Sequence, residues 1–169
     1  MPEAPESTTE NALVQAGYRF ALSLAGNRHE AEDLVQQACL RVLSKKGRLE
    51  SRSYLLTAIR NLFYDAMRRK KLVAFEPLEA MEQPLPAKAT ASASARMDLE
   101  SSLNRLSPEE REAIYLNCVE GYTAAEMGEM LGKPRSTVLN ILARAKSRLI
   151  AEEAASTHIP TQAKGSHHG

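Results

Sequence analysis

The chain has 169 residues, of which 43% are hydrophobic and none is Trp, and its 22 basic and 21 acidic residues leave a formal net charge of +1. This length fits one domain or two small ones. No apolar run approaches the length of a membrane span and no signal-peptide pattern begins the chain, so we expect a cytoplasmic protein. Periodic segments rich in Leu, Ala and Met, without alternating β-branched runs, predict an all-α fold.

The charges are distributed unevenly along the chain. Residues 1–71 contain 12 Lys and Arg against 8 Asp and Glu, whereas residues 72–100 contain 2 against 5. A basic segment followed by an acidic connector indicates an anionic partner that meets mainly the first segment.

The sequence shows none of the motifs that carry out catalysis. It has no glycine-rich phosphate loop, no metal-ligand cluster and no nucleophile at the spacing of a base, so we expect neither an enzyme nor a bound cofactor. Cys39 and Cys118 lie within helical patterns and are expected to be small, partly buried core thiols in a reducing cytoplasm, not a disulfide or metal pair. His29 lies near Cys39, but no second Cys or His stands at zinc-ligand spacing.

The first two helices follow a short lead. Residues 1–10 are predicted to be disordered, and a helix is predicted to begin at Asn11 and to end before Gly26. A second helix is predicted over residues 28–44, with Asn27 as its N-cap. The second helix is expected to bury one apolar stripe, formed by Ala31, Leu34, Val35, Ala38, Leu40 and Leu43.

A third helix, predicted over residues 53–72, combines an apolar stripe with a long polar face. The inward stripe is Leu55, Leu56, Ile59, Leu62, Phe63 and Met67. The polar face consists of Arg60, Asn61, Tyr64, Asp65, Arg68 and Arg69, preceded in the loop by Arg48 and Arg52. Cations interleaved with the rings of Tyr54 and Tyr64 are typical of single-stranded nucleic-acid binding. The alternative is that the basic end of the helix only complements the helix dipole and solubilises the surface.

Composition changes after the third helix. Residues 73–93 combine three prolines with an Ala- and Ser-rich run, which predicts a flexible linker. A helical pattern then resumes at Ser94. The sequence therefore predicts two small helical domains, over residues 11–72 and 94–152, followed by a disordered tail over residues 153–169.

The second domain has the spacing of a helix-turn-helix. Ser107 and Glu110 form one predicted capping box, and Thr123 and Glu126 form another. Gly132 follows as the turn before a longer helix that starts near Arg135. Gly128 falls where the two helices must touch, and Val138 falls where the second must bury an apolar residue. The alternative is any small helical bundle with two capped helices. In a DNA-binding helix-turn-helix, the residues placed to face DNA would be Arg135, Ser136, Thr137, Asn140 and Arg144.

Both halves together resemble the extracytoplasmic-function sigma factors of bacterial RNA polymerase. Residues 30–37 and 53–69 resemble the second conserved region of that family. Residues 106–112, 121–128 and 136–138 resemble its fourth region. The resemblance covers about residues 11–72 and 94–150, in the family's order, with a linker where the family has one.

The resemblance implies a promoter-specificity subunit that binds core RNA polymerase and promoter DNA, usually under the control of an anti-sigma factor that is often membrane-anchored. The residues implied to dock on the clamp helices of the polymerase are Glu32, Asp33, Gln36 and Gln37. Those implied to hold the unpaired −10 strand are Arg48, Arg52, Tyr54, Arg60, Asn61, Tyr64, Arg68 and Arg69. Those implied to contact the −35 duplex are Arg135, Ser136, Thr137, Leu139, Asn140 and Arg144.

The chain departs from the family pattern at four positions. Tyr54 replaces the usual Trp, and Gln37 replaces a common Glu. Leu139 and Ile141 stand where many members have Lys and Arg. An apolar pair is therefore expected either to face the groove, where Leu139 could contact a thymine methyl, or to be covered by a partner protein.

Two other functions fit parts of the pattern. One is a sigma-like decoy that binds an anti-sigma factor without DNA, and the other is a plain helix-turn-helix repressor, which leaves residues 1–72 without a role.

Overall fold

The computed structural model describes residues 6–73 and 102–157, and those residues contain helices and no strands. The helices are α1 (Glu6–Ala25), α2 (Arg28–Lys46), α3 (Arg52–Val73), α4 (Pro108–Ile114), α5 (Ala124–Leu131) and α6 (Arg135–Thr157). A π-helical segment, Tyr115–Val119, continues α4. The structure confirms the predicted all-α fold with two helical units. The predicted linker beyond Val73 and the start of the helix predicted from Ser94 lie outside the described residues.

Helices α1 to α3 form the N-terminal unit, which packs around side chains that are almost fully buried. Its largest buried side chains are Phe20, Leu24, Leu55, Leu56 and Ile59. The Asn27 side chain caps α2 by accepting from the His29 N–H at 2.8 Å, as predicted. Gly47 ends α2 with φ +78°, a left-handed conformation that glycine adopts without strain. The basic loop that follows is therefore held at one end of the unit, next to the start of α3.

Helices α4 to α6 form the C-terminal unit, and both capping boxes predicted for it are present. The Ser107 hydroxyl and the Glu110 carboxylate each accept a backbone N–H from the other residue. Thr123 and Glu126 are joined in the same reciprocal way at the start of α5. Gly132 ends α5 with φ +64°, so the chain turns sharply into α6. The core of the unit includes the buried side chains of Leu116, Met127, Val138, Ile141 and Ala145.

The two units are in contact, and their buried apolar residues form one continuous cluster. Helices α1 and α3 pack against α4 and α5. Phe20 of α1 and Tyr115 of the π-helical segment place their ring centroids 5.4 Å apart, which is an ordinary aromatic contact. The sequence predicted two loosely tethered units with separate cores, and this expectation is wrong for the cores, because the continuous cluster includes both Leu34 and Val138.

Several predicted boundaries and burial assignments are wrong. Helix α1 begins at Glu6, so the disordered lead is wrong for residues 6–10, and α6 continues to Thr157, so the disordered tail is wrong for residues 153–157. On α2, Leu40 and Leu43 are 68% and 39% exposed, and Val42 is buried in their place. Cys39 is partly buried as predicted, whereas Cys118 is exposed. The helix phase is set by where α1 and α3 contact α2, which the apolar pattern alone does not specify.

Candidate nucleic-acid interface

The first half of α3 and the last turns of α2 enclose a shallow cavity of about 150 Å³. Two of the predicted strand-binding residues, Tyr54 and Asn61, line it together. Arg41 and Lys45 of α2 line it as well, and Lys46 Nζ lies 5.4 Å from the centroid of the Tyr54 ring. Sequence reasoning missed Arg41 and Lys45, although their spacing of four residues places them on one face of α2. An aromatic ring, an amide and cations around one concavity can hold a nucleobase and its phosphates.

Arg60 and Tyr64, one turn further along α3, meet Glu112 of α4. Arg60 Nε lies 2.5 Å from Glu112 Oε1, and the Tyr64 hydroxyl donates to Glu112 Oε2 at 3.0 Å. The guanidinium carbon of Arg60 lies 4.8 Å from the centroid of the Tyr64 ring. The Glu112 side chain is only 1% exposed and that of Arg60 18%. The sequence carries no local signal for this pairing, because the partners are about 50 residues apart.

Burial controls the protonation of this group. Burial, followed by the charge of Glu112, raises the pKa of the Tyr64 hydroxyl, so it stays protonated and remains a donor. Burial also raises the pKa of the Glu112 carboxyl, against the opposing effects of the Arg60 charge and the Tyr64 hydrogen bond. The ionised Glu112 side chain therefore loses solvation free energy on burial, and its contacts with Arg60 and Tyr64 offset that loss.

Three of the other predicted cations of this surface, Arg48, Arg52 and Arg68, have individual acidic partners. Arg52 binds Glu120 through two contacts, Nε to Oε2 at 2.6 Å and Nη2 to Oε1 at 3.2 Å. Arg48 pairs with Glu50 at 2.6 Å, and Arg68 with Asp65 at 2.5 Å. Arg69 is exposed. A cleft of about 530 Å³ between α3 and α4 brings Arg68 together with Arg60 and Tyr64.

One face of α2 is polar with an exposed leucine at its end. The four residues predicted to dock on polymerase are all exposed on α2, and they are Glu32, Asp33, Gln36 and Gln37. Leu40 follows Asp33, Gln36 and Gln37 at spacings of seven, four and three residues, so it shares their face. With 68% of its surface exposed, Leu40 adds an apolar contact area to that face.

The helix-turn-helix has the close approach that its sequence predicts. A Cβ built on Gly128 would lie 2.7 Å from the backbone oxygen of Lys133, so only glycine fits there. Val138 is fully buried, as predicted. All the residues predicted to meet duplex DNA are exposed on α6, and they are Arg135, Ser136, Thr137, Leu139, Asn140 and Arg144.

Leu139 and Ile141, expected to form an apolar pair on the surface of α6, differ in their exposure. Ile141 is 1% exposed and belongs to the core, whereas Leu139 is 41% exposed. The prediction that both residues face a groove or a partner is therefore wrong for Ile141. The helix buries Ile141 because it lies three residues after Val138, on the same side of α6.

The described part of the chain contains neither a cluster of metal ligands nor a membrane-spanning helix. No group of three or more His, Cys, Asp or Glu side chains is arranged to hold a metal ion within residues 6–73 and 102–157. Across the same residues, no helix is both long enough and apolar enough to cross a membrane.

Comparison with known proteins matches both units. Residues 11–73 match the model of Sigma-70 region 2, and residues 96–149 match that of Sigma-70, region 4. The chain is 33% identical over 143 residues to the ECF RNA polymerase sigma factor SigE of Mycolicibacterium smegmatis, covering 78% of this chain and 55% of that protein. It thus spans about half the length of that relative. It is 34% identical over 119 residues to the RNA polymerase sigma factor CarQ of Myxococcus xanthus, covering 67% of this chain and 68% of that protein.

A solved structure shows a similar fold. It is the sigma factor RpoE of Bartonella quintana in complex with the anti-sigma factor NepR. The similarity has a TM-score of 0.67 with 26% sequence identity, and it covers 88% of this chain and 96% of that one.

Proposed function

Because the chain belongs to the extracytoplasmic-function sigma factors of bacterial RNA polymerase, we propose that it is a promoter-specificity subunit that binds core polymerase, recognises −35 and −10 elements and starts transcription. The observation that carries this proposal is the presence, in one chain, of a helix-turn-helix with an exposed polar recognition helix and a separate cationic, aromatic cavity on α3. A repressor would need only the first of these surfaces.

The exposed face of α2 is the proposed docking site for core polymerase. Asp33, Gln36 and Gln37 offer hydrogen bonds, and Leu40 offers apolar area that is left unburied in the free chain. Burying a leucine side chain contributes about 1.5–3 kcal/mol. An interface of this kind gains affinity from Leu40 and orientation from the polar residues around it.

The cavity between α2 and α3 is the proposed binding site for the unpaired −10 strand. A base that leaves the duplex loses stacking worth a few kcal/mol, and stacking on an aromatic side chain returns about 1–3 kcal/mol. Tyr54 supplies that ring, and Asn61 lies in the same cavity with hydrogen-bonding groups for a base edge. Arg41 and Lys45 add charge for the adjacent phosphates.

The N-terminal part of α6 is the proposed reader of the −35 duplex. Arg135, Ser136 and Thr137 stand at the start of the helix, the end that enters the major groove in helix-turn-helix proteins. Leu139 is the exposed apolar residue of this face, and a thymine methyl is its natural contact in the groove. The burial of Ile141 weakens the decoy hypothesis, since that hypothesis drew on two apolar residues and one of them belongs to the core.

We further propose control by an anti-sigma factor. The Bartonella quintana relative of similar fold is bound to such a factor. In the chain described here, the packed arrangement of the two units leaves the exposed face of α2 and the recognition helix on the outside. A protein that covers those faces would block polymerase and DNA together.

Run-off transcription tests the proposed function directly. Core polymerase is combined with the purified chain and a library of promoter fragments, and we expect products that depend on the chain. Tyr54→Ala should reduce opening of the −10 region, read by permanganate reactivity of thymines, while leaving polymerase binding intact. Arg28→Ala, which alters an exposed residue at the start of α2, is the control. A chain that binds core polymerase but yields no promoter-dependent product from any fragment would instead be a decoy.

A further inference from the structure

Two carboxylates of the C-terminal unit lie on the proposed strand-binding side of α3. Glu112 contacts both Arg60 and Tyr64, and Glu120 contacts Arg52 through two oxygens. The side chains of Glu112 and Glu120 are 1% and 3% exposed. Both are therefore enclosed between the units and are not part of a solvated acidic surface.

A carboxylate that binds arginine through two oxygens uses the same donor geometry as a phosphate, and Glu120 binds Arg52 in this way. Glu112 meets Arg60 through one oxygen and Tyr64 through the other. While Glu112 and Glu120 are in place, the charges of Arg60 and Arg52 are paired, and two nitrogens of Arg52 contact Glu120. A nucleic-acid strand that binds these cations meets arginines whose charge is already paired, and it gains their full charge only if the carboxylates leave. The carboxylates and a strand therefore compete for the same two side chains.

The geometry points to a reversible latch, and this inference rests on the proposed function of α3. We propose that Glu112 and Glu120 take the positions of strand phosphates at Arg60 and Arg52. The packed chain then withholds two cations of its −10 surface, although the cavity around Tyr54 stays open, until a partner separates the two units. The buried pair of Glu112 and Arg60 suits this role, because desolvation offsets much of its attraction while the loss of one partner is strongly unfavourable. The latch therefore specifies the closed arrangement without making it hard to open.

The latch predicts that neutralising one carboxylate opens the chain. Glu112→Gln keeps the shape and leaves Arg60 without a counter-charge in the closed form. Opening is measured by energy transfer between dyes on Ser44→Cys and Lys146→Cys, both exposed positions, in a background with Cys39→Ser and Cys118→Ser. We expect lower transfer in Glu112→Gln than in the parent, without change in helix content.

Strand binding by the free chain is the second measurement. A fluorescent single strand of about 12 nucleotides, carrying the −10 sequence found by run-off transcription, is titrated at several salt concentrations. The double variant Glu112→Gln, Glu120→Gln should bind about tenfold more tightly, within the usual range of coupling between sites. Releasing two cations should also steepen the slope of log K against log salt by roughly 1.4, at about 0.7 for each cation on a single strand.

Glu129→Gln is the matched control, because it removes the same charge from an exposed position on α5. It should leave the energy transfer and the salt slope unchanged. Glu120→Gln alone, whose partner Arg52 is 48% exposed, provides a second variant if Glu112→Gln does not fold.

The outcomes separate the latch from the proposed function. If the glutamine variants match the parent in energy transfer and in salt slope, while all forms support transcription, the latch is wrong and the sigma function stands. If no form binds the strand or supports transcription with core polymerase, the proposed function is wrong and the latch is wrong with it.

Discussion

Gly128 in α5 is the position at which we expect one added methyl group to disturb the helix-turn-helix most. A Cβ there would lie 2.7 Å from the backbone oxygen of Lys133 and 3.6 Å from the backbone nitrogen of Arg135. The carbonyl of Gly128 also accepts hydrogen bonds from the N–H groups of Gly132 and Lys133. Because the obstacle is backbone tied to the same residue, it cannot rotate away, and α6 has to shift.

The sign of the effect depends on two opposing magnitudes. Alanine stabilises a helix interior by about 1 kcal/mol relative to glycine, whereas overpacking costs about 1–3 kcal/mol. Because the contact is this short and the backbone is fixed, the overpacking cost of Gly128→Ala should lie near the upper end of that range. We therefore expect a net loss of about 1–2 kcal/mol in the free energy of unfolding. That loss corresponds to a fall in Tm of roughly 2–8 °C for a chain of this size.

Gly17→Ala on α1 is the matched control. Its Cβ would lie 3.0 Å from Ile59 Cδ1 and 3.2 Å from Leu55 Cδ2, which are mobile ends of side chains. The helix gain and the packing cost should then nearly cancel. Thermal melts of both variants are compared with the parent, and transcription is measured from promoters with and without a −35 element. A Gly128→Ala chain that melts at or above the parent temperature would refute the close-approach reasoning.

Three further predictions address the docking face, the strand cavity and the helix cap. Leu40→Ser should weaken binding to core polymerase in a fluorescence titration, while its free energy of unfolding stays within about 0.5 kcal/mol of the parent value. Leu72→Ser, at an 82% exposed position, is the control. Equal affinities of the two variants for polymerase would show that Leu40 is not part of the interface. In the polymerase complex, Tyr54→Phe should retain strand affinity, whereas Tyr54→Ala should lose about 1–3 kcal/mol of binding free energy for the strand. Equal losses in the two variants would mean that the hydroxyl, not the ring, makes the contact. Thr123→Ala should cost about 1 kcal/mol of stability in denaturant melts, unlike Thr123→Ser. The backbone N–H of Thr123, followed by its hydroxyl, lowers the pKa of Glu126. The stability that Glu126 contributes is therefore present above the usual carboxylate pKa and is lost as pH falls through the lowered one. Because Thr123→Ala keeps the N–H, an NMR titration of this variant should show that pKa returning only part of the way upward, and a full return to the usual carboxylate value would contradict the assignment.

Sequence alone determined the local structure of this protein. The two capping boxes, the turn at Gly132 and the contact at Gly128 depend on residues within about ten positions of one another, so their spacing is visible in the chain itself. The resemblance of both halves to one family also follows from such local runs. Helix identity and the order of the two units were therefore predictable.

Tertiary structure decided which face of each helix is covered and which charges are paired. Leu40 and Ile141 both fit an apolar pattern, yet Leu40 is exposed and Ile141 is buried, because each depends on where neighbouring helices contact its own. The partners of Arg52 and Arg60 lie in the other unit, 68 and about 50 residues away. Contacts over such distances arise from the packing of whole helices, and no spacing within a single segment encodes them.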